Sequence, residues 1–336
     1  MGSADTPPLV VSRREGLYCP QGDFYIDAWR PVERNVITHA HGDHARSGSA
    51  HYLTAAAGEK VLRARLGDVR IQPLEYGQSL SLRDTTITLH PAGHVLGSAQ
   101  VCIRHRGEAW VVSGDYKLQS DPTCAAFESV RCHTFVTEST FGLPIYRWAS
   151  PESVFAEMNT WWRDNVALGR TSVLFAYALG KAQRIIASVD PTIGPIVVHG
   201  AVAALNEAYR ASGVPLPSTR HAQDGEAKAA FGQALVMAPP SAAGTPWMRR
   251  FGDWSDGFAS GWMQLRGARR RRAVDRGFVL SDHADWPGLQ QAIRATGAAR
   301  VIVTHGQTAP MVRWLAECGL DARTFDTEFG AELDDA

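Results

Sequence analysis

The chain has 336 residues, 45% hydrophobic and 20% charged, enough to bury the core of one large or two ordinary domains and too apolar for a disordered chain. Lys+Arg and Asp+Glu both number 34, so no global charge drives the protein to nucleic acid or membrane, and any basic surface must be local. The five cysteines (Cys19, Cys102, Cys124, Cys132, Cys318) form no C-x-x-C pair, which argues against a disulfide framework or thiolate zinc knuckle; with no leader-like start and no long apolar run, a soluble cytoplasmic protein is expected.

In chain order, short apolar runs bounded by turn residues predict strands at Val36–Thr38, Thr86–Leu89, Ala99–Ile103, Ala109–Ser113 and Thr134–Thr137. Directly after the first run stands Thr38-His39-Ala40-His41-Gly42-Asp43-His44. Residues two apart on a strand or its extension point the same way, so His39 and His41 can bind one ion together, with Asp43 and His44 just beyond for a second. Crowded imidazoles and a carboxylate are costly unless metal or water satisfies them, so packing is a poor explanation of this cluster. From Pro151 the pattern turns to helix-like stretches at Glu152–Asn165 and Lys181–Val189, interleaved with apolar strands at Val173–Phe175 and Ile196–Val198. Strand character of the first kind returns at Phe278–Leu280 and Val301–Thr304, with a helix at Trp286–Thr296 between them. Residues 151–272 therefore read as an insertion into a domain made of 1–150 and 273–336. The insertion holds fourteen Lys/Arg against nine Asp/Glu, a net of +5 that leaves −5 for the remainder. A carboxylate-bearing unit facing a basic one suits metal ligands opposite a polyanion, although a basic face solvated for its own sake explains the charge equally well.

H-x-H-x-D-H is the signature of the metallo-β-lactamase fold, and the rest of the chain resembles that superfamily in order. His94, in Pro91-Ala92-Gly93-His94, matches the third ligand motif, and Asp115, in Ser113-Gly114-Asp115-Tyr116, the metal-bridging carboxylate. Asp27 matches the aspartate behind the ligands. Glu138 in Thr137-Glu138-Ser139-Thr140, His283 in Ser281-Asp282-His283-Ala284-Asp285 and His305 in Val303-Thr304-His305-Gly306 resemble motifs A, B and C of the β-CASP nucleases, whose inserted domain clamps nucleic acid over the metals. Gly180-Lys181-Ala182-Gln183 is similar to a stretch of that inserted domain, and blocks such as Tyr25–Pro31 and Thr137–Gly142 are similar to the bacterial ligase-associated DNA exonuclease group.

The resemblance implies an α/β fold, a metallo-β-lactamase αββα sandwich with an inserted α/β β-CASP domain. The implied activity is that of a metal-dependent exonuclease hydrolysing phosphodiester bonds of single-stranded DNA in DNA repair, with attack from the 5′ end. Two divalent ions, zinc or manganese, are implied: one held by His39, His41 and His94, the other by Asp43, His44 and His305, with Asp115 bridging. Water made acidic between them is the expected nucleophile, His283 the general acid and Glu138 its orienting partner. Candidates for holding the strand are Lys181, Arg184, His199, Arg269, Arg270, Arg271 and Arg272. DNA is the implied partner, with functional association with an ATP-dependent DNA ligase and a helicase, and no membrane. A His at motif C is more typical of RNA-processing β-CASP members, which makes ribonuclease activity the alternative. A small-molecule metallo-hydrolase would leave the basic insert and His283 unexplained, and a non-catalytic scaffold would have lost ligands that this chain keeps.

Overall fold

The structure, a computed structural model, describes residues 7–222, 227–272 and 274–329, with only the backbone of 268, 269 and 271. In chain order the elements are β1 (Val11–Arg13), β2 (Gly16–Cys19), β3 (Phe24–Ile26), β4 (Arg34–Val36), β5 (His51–Ala55), α1 (Glu59–Leu66), β6 (Ile71–Leu74), β7 (Ser79–Leu82), β8 (Thr85–Pro91), β9 (Ala99–His105), β10 (Glu108–Val112) and β11 (Thr134–Ser139). There follow α2 (Pro151–Ala167), β12 (Thr171–Phe175), α3 (Lys181–Ser188), β13 (Ile196–Val198), α4 (Gly200–Ala211), β14 (Thr219–His221), β15 (Leu235–Ala238), β16 (Trp254–Ala259), α5 (Arg266–Arg272) and β17 (Arg276–Phe278). The last are α6 (Trp286–Thr296), β18 (Arg300–Gly306), α7 (Thr308–Glu317) and β19 (Asp321–Thr324).

These strands make three sheets among the described residues: β1 to β6 in sequence order, then β19-β18-β11-β10-β9-β8-β7, then β14-β13-β15-β12-β16-β17. The chain leaves the second sheet after β11 and rejoins it at β18, paired to β11, having built the third sheet in between. Side-chain alternation stacks the layers. Leu17, Ile26, Val36 and Leu53 of the first sheet pack on Ile87, Val101, Trp110 and Ile302 of the second. The second sheet's opposite face, through Cys102, Val111, Phe135 and Val301, meets Leu289 and Ile293 of α6 and Met311 and Leu315 of α7. On the first sheet's outer side, Tyr52 meets Val61 and Leu62 of α1, and Leu205 and Tyr209 of α4 join the same cluster. The order is helix, sheet, sheet, helix, with α4 bringing the third-sheet unit against the first sheet.

All pairings in the third sheet are parallel. Its central strands are buried on both faces and read as unbroken apolar runs, such as Ile196–Val198, rather than as alternation. The helix starts are legible too: Ser150 accepts from Ser153 N–H ahead of Pro151 to open α2, and Asp285 accepts from Gly288 N–H ahead of Trp286-Pro287 to open α6. The strand expected at Phe278–Leu280 is the one that moves. It is β17, pairs with β16 through Phe258↔Gly277 and Ala259↔Phe278, and buries Phe278 beside Trp161, so it extends the third sheet rather than returning to the earlier ones. Apolar character alone says that a strand is buried and leaves open which sheet it joins. No helix among the described residues is long and apolar enough to cross a membrane.

Candidate metal centre

The centre lies where loops leave the strand ends. Past β4 the chain turns tightly, with Ala45 N–H donating to His41 O (2.8 Å), which gathers His39, His41 and His44 into one short coil. His94 follows β8, Asp115 follows β10, Glu138 lies in β11 and His305 near the end of β18. Two glycines let the backbones approach. A Cβ on Gly114 (φ +56°) would fall 2.6 Å from Thr38, and one on Gly306 (φ +85°) would fall 2.4 Å from the Ser139 backbone. At the second approach, Ser139 Oγ donates to His305 O (2.6 Å), tying β11 to β18 at the site.

Hydrogen bonding fixes which nitrogen of each imidazole is available. His94 Nδ1–H donates to the Asp282 carbonyl (2.7 Å), His41 Nε2–H to the Leu179 carbonyl (3.2 Å) and His44 Nδ1–H to Asp27 Oδ2 (2.7 Å). Thr38 spends its hydroxyl proton on Asp27 and Thr304 spends its own on Thr137 O, so each accepts from the neighbouring Nδ1–H, of His39 (3.1 Å) and His305 (2.9 Å). The second nitrogens of His39, His44, His94 and His305 then face Asp115. From its oxygens, His39 Nε2 lies 3.4 Å away, His44 Nε2 3.5 Å, His94 Nε2 3.8 Å and His305 Nε2 3.2 Å. His94 Nε2 and His41 Nδ1 face each other at 3.0 Å. His39 Nε2, His44 Nε2 and Asp115 Oδ1 are buried with no hydrogen-bond partner. Buried acceptors pointed at one another are costly without a cation among them, so the residues fit metal ions. Three groups share Asp115: His39, His41 and His94 on one side, His44 and His305 on the other, and Glu138 with His283 beside them. Asp43 lies at the rim of the second, its Oδ2 3.6 Å from His44 Nε2.

The electrostatics agree. Burial pushes the imidazoles of His39 and His94 well below their usual pKa and lowers that of His41, favouring the neutral, ligating form. Burial opposes charge on His44 as well, but Asp115, Asp43 and Asp27 outweigh it and raise its pKa to about 10. Three carboxylates thus hold a proton at the place where a cation would sit.

Beside the centre, His283 Nδ1–H donates to both oxygens of Glu138 (3.0 and 2.9 Å). Glu138 is itself held by Tyr116 N–H (2.9 Å) and the Thr140 hydroxyl. Trp148 fixes the loop from behind, its indole N–H donating to His283 O (3.0 Å) and its backbone N–H to Asp285 (2.9 Å). The His283 ring stands 4.7 Å from that of His94, centroid to centroid.

The expected strand contacts do not gather into one surface. Lys181 and Arg184 are completely buried: Arg184 donates to Ser281 O (2.7 Å), and both cations lie against Asp282 with Lys117 and Asp121 close by. Expected to hold a strand, they are instead enclosed, because α3 buries its first turn against the Asp282 loop. His199 caps α4, accepting from Ala201 N–H, and packs edge-on to Trp247. Arg270 is exposed, and Arg272 lays its guanidinium 4.6 Å over the Phe258 ring. The side chains of Arg269 and Arg271 lie outside the described residues. Sequence reasoning passed over Trp148, Lys117, Asp121 and the carbonyls of Leu179 and Asp282. It also passed over Phe329, which stacks on His44 with ring centroids 4.4 Å apart. A backbone carbonyl has no sequence signal, and an isolated aromatic in a polar stretch has little.

No family model matches the sequence. A protein of Opitutus terrae named "Probable DNA ligase" is 32% identical over 330 residues, 97% of this chain, and the chain spans only 32% of that protein's length. "Endoribonuclease YSH1" of Gibberella zeae is 27% identical over 130 residues, 36% of this chain and 15% of that protein. Among solved structures, a protein of unknown function from Enterococcus faecalis superposes with a TM-score of 0.58 at 12% identity, covering 88% of this chain and 80% of that one, a likeness of fold alone.

Proposed function

We propose that the protein is a two-metal phosphodiesterase of the metallo-β-lactamase and β-CASP kind, in which the third-sheet unit from α2 through β17 acts as the inserted nucleic-acid clamp, and that it shortens DNA from an end. The observation that carries the reading is the gathering of five imidazole nitrogens about one buried carboxylate, Asp115, with every outer nitrogen occupied. Divalent cations there would supply Lewis acidity toward a phosphate and a water acidic enough to attack near neutral pH. The chain's own residues do the rest. His39, His41 and His94 hold one ion, His44, His305 and Asp43 the other, and Asp115 spans both. His283, with Nδ1–H on Glu138, carries a proton on Nε2 for the leaving oxygen, and the carboxylate stabilises the cationic ring and fixes its orientation. Beside His41 a groove of about 450 Å³ runs between Arg65 and Leu179 toward Ala201 at the start of α4, a route by which a strand would reach the centre.

DNA is favoured because the relative that matches nearly the whole chain is named for DNA ligation. A nuclease able to trim ends beside a ligase is the corresponding role in repair, with a ligase and a helicase as working partners. RNA is the second reading, favoured by the endoribonuclease likeness and by His305 at motif C. Single-stranded DNA and RNA of one sequence, labelled at either end and offered linear or as closed circles, with and without chelator, separate these readings. Linear DNA should be shortened from the 5′ end, circles should resist, and chelation should abolish cleavage. Faster turnover of RNA would establish the ribonuclease reading, cleavage of circles would exclude an obligate exonuclease, and full activity under chelation would overturn the metal centre.

A further inference from the structure

The segment Phe325–Phe329 follows β19 and crosses the end of β18. Phe325 N–H donates to Val303 O (3.2 Å), the Thr327 hydroxyl to Thr304 O (2.9 Å) and Ser12 Oγ to Asp326 O (2.8 Å). Glu328 is gripped by Arg30 (2.7 Å) and lies 3.9 Å from Arg46, whose other nitrogen donates to the Glu328 carbonyl (3.3 Å). These contacts deliver one side chain. The Phe329 ring lies 4.4 Å from the His44 ring with an interplanar angle of 8°, meets the His305 ring at 5.4 Å and 72°, and rests edge-on against Trp29 at 5.7 Å.

We infer that Phe329 is a positioning residue for the metal site shared by His44, Asp115 and His305, and that Phe325–Phe329 is the strap that seats it. The inference rests on the two-metal reading above. The bond from His44 Nδ1–H to Asp27 fixes one ring atom and leaves the ring free to pivot about it, whereas a face-to-face aromatic contact sets the plane. Contact with His305 from the same phenyl ring locks the two imidazoles relative to each other. The ring also covers them with apolar surface, so that water and chelators reach this ion more slowly from the strap side. Among the described residues the strap's hydrogen bonds, ion pairs and ring contacts reach His44 and His305 and none of His39, His41 and His94, so the effect should fall on one ion of the pair.

The test compares wild type, Phe329→Ala, Phe329→Leu, Phe329→Tyr and the double variant Arg30→Ala/Arg46→Ala, each loaded with zinc. Metal content is measured after dialysis against graded chelator, alongside the rate of zinc release to a chromogenic chelator and the melting temperature of the metal-free protein. Wild type should retain two ions. Phe329→Ala should hold one of them about 10- to 100-fold more weakly and leave the other unchanged. Phe329→Leu, which keeps bulk and loses the stack, should follow it, Phe329→Tyr should restore the wild-type pattern, and the double variant should speed release of the same ion. Two ions released as in wild type by Phe329→Ala overturns the inference. So does equal weakening of both ions, or loss confined to variants whose metal-free melting temperature has fallen. A wild-type protein that binds no metal defeats the metal reading itself, an outcome distinct from all of these.

Discussion

The two halves of the centre are supported from different parts of the chain. His41 and His94 have their outer nitrogens held by the carbonyls of Leu179 and Asp282, which lie in loops that leave the third sheet after β12 and β17. His44 and His305 are held by Asp27 and Thr304, which belong to the first and second sheets. One half is therefore complete within the two-sheet body, and the other only when the third-sheet unit is seated upon it. The seat is the buried cluster of Lys117, Lys181 and Arg184 with Asp121 and Asp282. Burial opposes charge on Asp282, yet Lys181, Lys117 and Arg184 outweigh it and hold its carboxyl well below the usual range. Buried charges of this kind are costly to separate, so the seat makes the position of α3 a determinant of His94. The difference teaches that the placing of His41 and His94 depends on docking of the third-sheet unit, while His44 and His305 are held without it.

The largest effect is expected where the two halves meet. Asp115→Ala should remove both ions and bring cleavage to background, because the carboxylate spans them. Metal content and nuclease rate check this together, and a variant that kept one ion firmly bound would break the symmetry argued for Asp115. Next in size is His283→Ala, which should keep both ions and cleave about 10²- to 10⁴-fold more slowly if leaving-group protonation limits the rate. Loss of an ion from that variant would instead make His283 a ligand, a role that the proximity of Asp115, Glu138 and His283 also allows.

Asp27→Asn strikes His44 directly and His39 only through the Thr38 hydroxyl that Asp27 also holds. Asn tolerates the positive φ of this position (47°), so the backbone can stay in place. An amide N–H facing His44 Nδ1 in place of the carboxylate would favour the other tautomer and put the proton on Nε2, where the lone pair is needed. The ion at His44 should weaken about 10- to 100-fold and the ion at His39, reached only through Thr38, by clearly less, as read by metal titration. Equal weakening of both would erase the division between the halves.

Much of this centre was legible in the sequence because its candidate ligands are side chains at close spacing or in motifs, and chemistry of that kind leaves few alternative explanations. His39, His41, His44, His94, Asp115 and His305 all converge as expected, and Asp27 stands behind His44 and Thr38. The secondary structure was likewise clear where periodicity and caps coincide, as at Trp286–Thr296. What the sequence concealed is whatever depends on tertiary approach. Lys181 and Arg184 read as phosphate contacts because a basic residue is soluble by default, and only the docking of α3 against Asp282 shows them buried. The supports of His41 and His94 are peptide carbonyls, equivalent in any sequence, and Phe329 comes to His44 from 285 positions away.

The smallest effect tests the first half through its loop. Gln183 accepts from Gly180 N–H (2.8 Å) and donates to Ala178 O (3.0 Å) and to Asn206 (2.9 Å), and so pins the turn on which the Leu179 carbonyl meets His41. Gln183→Ala removes these bonds at a completely buried position and should cost about 1–3 kcal/mol of stability for the polar groups left behind. Because the carbonyl itself remains, His41 should lose restraint rather than its partner. The ion held with His39 and His94 should then weaken only a few-fold, and the ion at His44 and His305 should be unaffected. Metal titration at a temperature well below the variant's melting point reads both numbers. No change at the first ion would show that the Ala178–Gly180 turn is held by the packing of α3 against the sandwich and would shift the dependence of the first half from this loop to the Asp282 side, whereas a change at the second ion would break the division between the halves.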